Sequence, residues 1–236
     1  MLERTSIIKT SGREQEKMNV YQAVIFDMDG VIFDSERVVK ECWIELAEKY
    51  GIPGIEAPYS ACIGTTKART RQIMLEAYGP EFPFDRYEKE VSQIYHATYD
   101  GGRLPMKPGI VELLSFLKEQ GKRIALASST RSRTVTDQLK SAHIFQYFDA
   151  VICGDMVEKS KPAPDIFLKA CEALQVCPGE AFGIEDSYNG IRALHAGGLR
   201  PVMVPDLLPE TEEMRSLSEV ILPNLLKFRE YLSEAT

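Results

Sequence analysis

Acidic and hydroxyl residues recur at the ends of short apolar runs in this chain, and their types and order suggest chemistry. Ala23-Val24-Ile25-Phe26 runs into Asp27-Met28-Asp29-Gly30, and Ala181-Phe182-Gly183-Ile184 runs into Glu185-Asp186. A further run, Arg123 to Ala127, leads to Ser128-Ser129-Thr130; another, Ala150 to Cys153, leads through Gly154-Asp155 towards Lys161. Carboxylates gathered in one crevice repel strongly unless a cation bridges them. Hard oxygen ligands of this kind favour Mg2+. Taken singly, an acid or hydroxyl after a strand is an ordinary turn or cap residue. The case for a site rests on the whole set occurring in order.

The elements that must position these residues follow from the same runs. Short apolar stretches bounded by turn residues read as fully buried strands, and Val202-Met203-Val204 before Pro205 adds one more. Between them lie helical patterns. Gly109 to Gln120 carries apolar residues at 110, 113, 114 and 117 and stops at Gly121. Thr134–Lys140, Ala163–Leu174 and Asn189–Ala196 continue the alternation. Strand–helix repetition of this kind predicts an α/β fold, a Rossmann-like doubly wound parallel sheet. In such sheets ligands bind at the carboxyl ends of the strands, where the acids fall.

One stretch breaks the rhythm. From about residue 35 to about 102 no buried strand is evident, and Val38–Tyr50, Lys67–Tyr78 and Phe84–Tyr99 read as helices. The economical reading is a small α-helical cap domain over 35–102, inserted into a core domain of 21–34 and 103–236. Residues 1–20 mix both charge signs and read as a loose tail, with Met18 a candidate natural start.

Composition sets the class. The 236 residues carry 28 Lys+Arg against 35 Asp+Glu, a net charge of −7, which argues against general binding to nucleic acid or anionic membrane. An anionic substrate must therefore find positive charge locally. The 5 cysteines are odd in number and contain no CxxC pair, so reduced thiols in the cytoplasm are expected rather than a disulfide framework or zinc site. No apolar run reaches membrane-spanning length. The chain lacks GxxxxGK[ST], HExxH and GxSxG, and Asp27-Met28-Asp29-Gly30 lacks the further ligands of an EF-hand. His96, His143 and His195 read as structural.

Asp27-Met28-Asp29-Gly30-Val31 after its apolar run resembles the DxDGV/T signature of the haloacid dehalogenase (HAD) superfamily. Leu126-Ala127-Ser128 resembles its second motif, Lys161-Pro162 its third, and Glu185-Asp186-Ser187 its fourth, with agreement in order from residue 21 onwards. The helical insertion resembles the cap of the subgroup holding phosphoglycolate phosphatases, sugar-phosphate phosphatases and β-phosphoglucomutases.

The resemblance implies roles. Asp27 would be the nucleophile that forms an aspartyl-phosphate, and Asp29 the general acid and then base. Mg2+ would be held by Asp27, the Asp29 main-chain carbonyl, Asp186 and, directly or through water, Glu185. Ser128 and Ser129 would bind phosphate, and Lys161 would neutralise Asp27 and phosphate together. Asp29 favours phosphoryl transfer over C–halogen cleavage, because dehalogenases of the superfamily lack the second aspartate. In the cap, Trp43, Gly64, Lys67 and Arg69 are candidate substrate contacts, although Trp43 suits the cap core equally. The mutases carry a histidine where this chain has Val39, and an arginine where it has Lys67. The implied function is therefore a phosphatase acting on a small phosphorylated metabolite, as a monomer or weak homo-oligomer. The alternatives are a β-phosphoglucomutase-type mutase and, more distantly, a non-catalytic phospho-acceptor like a receiver domain.

Overall fold

The computed structural model describes residues 21–63, 65 and 67–234. The loose tail expected over 1–20 and the candidate contact Gly64 lie outside the described residues.

A parallel sheet in the order β3-β2-β1-β4-β5-β6 forms the centre of the molecule. Its strands are β1 (Ala23–Phe26), β2 (Arg123–Ser128), β3 (Ala150–Cys153), β4 (Ala181–Glu185), β5 (Arg200–Met203) and β6 (Val220–Ile221). β1 lies between β2 and β4, with Phe26 level with both Leu126 and Ile184. The strand order reverses at β1. This places the switch point of the sheet, and the crevice that goes with it, at the residues following Phe26.

The alternation of side chains along β1 supplies two cores. Val24 and Phe26 join one layer, packed by α5 (Ile110–Glu119), α6 (Ser132–Ser141) and α10 (Leu225–Glu234) through residues such as Leu113, Leu139 and Phe228. Ala23 and Ile25 face the other, packed by α7 (Asp165–Leu174), α8 (Tyr188–Ala196) and α9 (Glu212–Leu217) through Phe167, Leu194 and Met214. Both faces are covered, which is why β1 and β4 consist almost wholly of apolar residues.

Between β1 and α5 the chain forms α1 (Ser35–Tyr50), α2 (Glu56–Cys62), α3 (Lys67–Tyr78) and α4 (Phe84–Tyr99). These build a third core of their own around Trp43, Leu46, Tyr59, Met74, Phe84 and Tyr87. The two linkers to the sheet run side by side. Asp34 N–H donates to the Pro105 carbonyl at 2.9 Å, and Lys107 N–H to the Ile32 carbonyl at 2.8 Å.

The differences from the sequence reading are local. The sequence patterns predict no element at α2, α9, α10 or β6, which are short or weakly patterned. β5 begins at Arg200, earlier than Val202, and includes Pro201 opposite Gly183. Pro201 supplies an acceptor only, and its carbonyl receives Glu219 N–H at 2.8 Å.

Candidate active site

The site is built on the carboxyl ends of β1, β2 and β4. Asp27 N–H donates to the Ile184 carbonyl at 3.0 Å, so strand pairing fixes the backbone from which its carboxyl emerges. Lys161 is buried among these strand ends. Its ammonium donates to Asp27 Oδ1, to Glu185 Oε1 at 2.7 Å and to the Ala127 carbonyl at 3.2 Å. An ammonium has three protons, and here each strand end takes one.

Glu185 is the more deeply engaged acid, at 1% exposure. Its Oε2 accepts from Asp186 N–H at 3.1 Å, Ser187 N–H at 3.0 Å and the Ser187 hydroxyl at 2.9 Å. Ser187 also caps α8, its Oγ accepting from Gly190 N–H at 3.0 Å. Two glycines make the packing possible. A Cβ on Gly190 would lie 1.8 Å from Glu185 Cδ. Gly30 has φ +76, and a Cβ there would lie 2.3 Å from Asp186 Oδ2.

After β2, Ser128 is fully buried and its Oγ accepts from Thr130 N–H at 3.1 Å. The Thr130 hydroxyl in turn donates to Asp29 Oδ2 at 3.0 Å. Ser129 is exposed beside them. Asp27, Asp29, Ser128, Lys161, Glu185 and Asp186 thus share one crevice.

Crowding dominates the electrostatics. Burial, with the charges of Glu185 and Asp29, pushes the Asp27 carboxyl up to about 8 against the opposing pull of Lys161. Burial and the neighbouring Glu185 and Asp27 push Asp186 well above the usual carboxylate range. Burial disfavours the charged form of Lys161, but Asp27 and Glu185 outweigh it and hold the ammonium protonated. One lysine is too little charge for this group. Asp27, Glu185 and Asp186 each offer an oxygen, and the ligand atoms all lie within 4.8 Å of one another. Hard donors at that separation, carrying excess negative charge, fit a small divalent cation.

Two further residues feel the charge of Asp29, and the sequence reading singles out neither. Glu36, in the first turn of α1, is pushed up by burial and by the charges of Asp29 and Asp206. Tyr95 on α4 is held up to about 12 by burial and by Asp29, and its hydroxyl accepts from Gln138 Nε2 at 3.4 Å. In sequence Glu36 reads as an ordinary acid at a helix start, and Tyr95 as one aromatic among many.

Trp43, Lys67 and Arg69 find partners within the insertion itself. Trp43 is buried in the third core, with ring centroids 5.0 Å from Tyr87 and 5.6 Å from Tyr59, and its carbonyl accepts from the Tyr87 hydroxyl at 2.7 Å. Lys67 is exposed and ion-paired with Glu88 on α4, and Arg69 lies 3.5 Å from Glu76.

The chain is similar to known proteins over most of its length. A family model described as haloacid dehalogenase-like hydrolase matches residues 21–198. A phosphorylated carbohydrates phosphatase from Thermotoga maritima is 33% identical over 77% of this chain and 83% of its own. A beta-phosphoglucomutase from Bacillus subtilis is 33% identical over 78% of this chain and 83% of its own. A solved Thermotoga maritima structure, provisionally described as a beta-phosphoglucomutase, superposes with TM-score 0.76 at 29% identity, covering 91% of this chain and 100% of that one.

Proposed function

The chain belongs to the haloacid dehalogenase-like hydrolases, and on that premise we propose a Mg2+-dependent phosphatase acting on a small phosphorylated metabolite, a sugar or organic-acid phosphate. One observation carries this reading. A buried Asp27 is gripped by Lys161, while Asp29, two residues on, is held separately by the Thr130 hydroxyl. One carboxylate is thus set beside a fixed positive charge, and the other is oriented by a donor on a different strand end. This is the division expected of a nucleophile and an acid–base partner.

Asp27 attacks phosphorus in line, forming an acyl-phosphate bond as the ester P–O bond breaks. Asp29 gives its proton to the departing oxygen. It then takes a proton from water, whose oxygen attacks phosphorus, regenerating Asp27 and releasing inorganic phosphate. Ser128, Ser129 and Lys161 offer donors and charge to the phosphoryl oxygens. Asp27, the Asp29 carbonyl and Asp186, with Glu185 directly or through water, would hold Mg2+. When bound, the ion supplies charge that offsets the phosphate and orients it.

The helical insertion, 35–102, acts as the cap over a core of 21–34 and 103–236, and carries Glu36 and Tyr95, both within the influence of Asp29. Val39, where the mutases carry a histidine, favours water over a second sugar as the final acceptor. Four buried cysteines and exposed Cys177, all free, fit a reducing cytoplasm. The test is hydrolysis of p-nitrophenyl phosphate with Mg2+, with EDTA, and by Asp27→Asn. Metal-dependent turnover lost in the variant supports the reading; no turnover by the wild type with Mg2+ sinks it.

A further inference from the structure

Among the described residues, one buried carboxylate oxygen has no hydrogen-bond partner, Oδ2 of Asp206. The Asp206 side chain is 10% exposed. A buried charged acceptor left unsatisfied is costly and calls for an explanation. Its other oxygen has one. Oδ1 accepts from the Lys107 ammonium at 2.6 Å, and the same ammonium donates to Asp34 Oδ1 at 3.0 Å, at the head of α1. That clamp ties both linkers to the loop after β5, but it leaves Oδ2 unexplained.

The sheet register says where Asp206 stands. Glu185 is level with Met203, and Val204 N–H donates to the Glu185 carbonyl at 2.8 Å. Asp206, two residues beyond Val204, is therefore carried past the carboxyl edge of the sheet on the side of Asp186. Its charge reaches the head of α1, adding to the upward push on Glu36. No role in the proposed reaction has been assigned to it.

We propose that Asp206 is a positioning residue of the metal site, an outer-sphere carboxylate pinned through Oδ1 by Lys107 and offering Oδ2 to the hydrated cation held by Asp27, Glu185 and Asp186. This rests on the reading that those acids take Mg2+. An outer-sphere carboxylate adds negative charge behind the ligands and accepts hydrogen bonds from the cation's hydration shell. Loss of such a partner typically weakens metal binding about 10–100-fold. The Lys107 clamp serves this purpose by fixing the Asp206 carboxylate through Oδ1.

The experiment is calorimetric titration of the metal-free full-length chain with MgCl2, alongside thermal melting without metal. Asp206→Asn is expected to raise the Mg2+ Kd on the order of tenfold. Asp34→Asn, which cuts the other arm of the clamp, is expected to lower the melting temperature while leaving the Kd near wild type. Equal Kd values for wild type and Asp206→Asn overturn the proposal. So does an equal loss of affinity in both variants, which would make Asp206 a hinge residue only. Should the Asn variant not fold, Asp206→Ser carries the same expectation. A wild type that binds no Mg2+ would remove the metal reading itself, a failure distinct from the two above.

Discussion

The Thr130 hydroxyl donates to Asp29 Oδ2 at 3.0 Å, joining the loop after β2 to the loop after β1. Thr130 is held by its own N–H on buried Ser128, so the donor is fixed before Asp29 is. Thr130→Val removes the donor at little change in volume. Turnover of a poor leaving group, such as a sugar phosphate, should fall about tenfold, a part of the roughly 10²–10⁴-fold that general acid–base catalysis supplies. Turnover of p-nitrophenyl phosphate, whose leaving group needs little protonation, should fall less. A series of leaving groups compared between wild type and variant checks this, and an equal loss across the series would contradict the role given to Asp29.

Asp27→Asn keeps volume and removes the nucleophile. Turnover should drop by about three orders of magnitude or more, as for loss of a nucleophile elsewhere. Steady-state assay, with circular dichroism to show an intact fold, is the measurement. Activity near wild type would refute the assignment.

Lys161→Met leaves Asp27 and Glu185 facing one another in a buried crevice. Breaking a buried ion pair from one side costs about 3–5 kcal/mol. The metal-free variant should unfold at clearly lower denaturant concentration than wild type. Mg2+ should recover part of the loss, because a ligand that binds only the folded state stabilises it. An unchanged midpoint without metal would show that the network contributes nothing to stability.

Gly190→Ala places a Cβ 1.8 Å from Glu185 Cδ, at the start of α8. Glu185 must move and give up donors, so a loss of at least about 2 kcal/mol is expected from overpacking and broken hydrogen bonds. Denaturant unfolding measures it. Gly179, whose Cβ would meet only the Gly198 carbonyl at 4.0 Å, serves as the control substitution.

Asp34 gives a pH signature. Burial raises its carboxyl, but hydrogen bonds from Arg37 and Lys107 outweigh that and hold it below its ordinary value. A depressed folded value means stability that is present above the unfolded value, near ~3.9, and is lost as pH falls through the folded one. The stability gap between wild type and Asp34→Asn should therefore close below about pH 4. Melting curves across pH 3–7 test this, and a gap that widens with acid would reverse the sign assigned here.

The parallel sheet and its central acids were legible because their signals are local. Asp27 and Asp29 follow an apolar run directly, as do Glu185 and Asp186, and strand pairing then brings the two runs together. The helical insertion was equally plain from three helical patterns without a strand between them. The side chains that line the insertion's approach were not legible. Trp43, Lys67 and Arg69 could each be placed on a helix from sequence, but the direction each faces depends on how four helices pack.

What the sequence by itself determined is the set of chemical groups at the strand ends and the α/β alternation that assembles them, because neighbouring residues carry both. Only the tertiary structure decided which further groups join them. Lys107 lies 73 residues from Asp34 and 99 from Asp206, yet holds both. Glu36 comes under the charges of Asp29 and Asp206 only through the fold, and Asp206 stands past the sheet edge because β5 pairs with β4 in its particular register. Each reads alone as a helix-start or turn residue. Charges so far apart along the chain acquire a common function only when the backbone hydrogen bonds between strands and linkers set their distances.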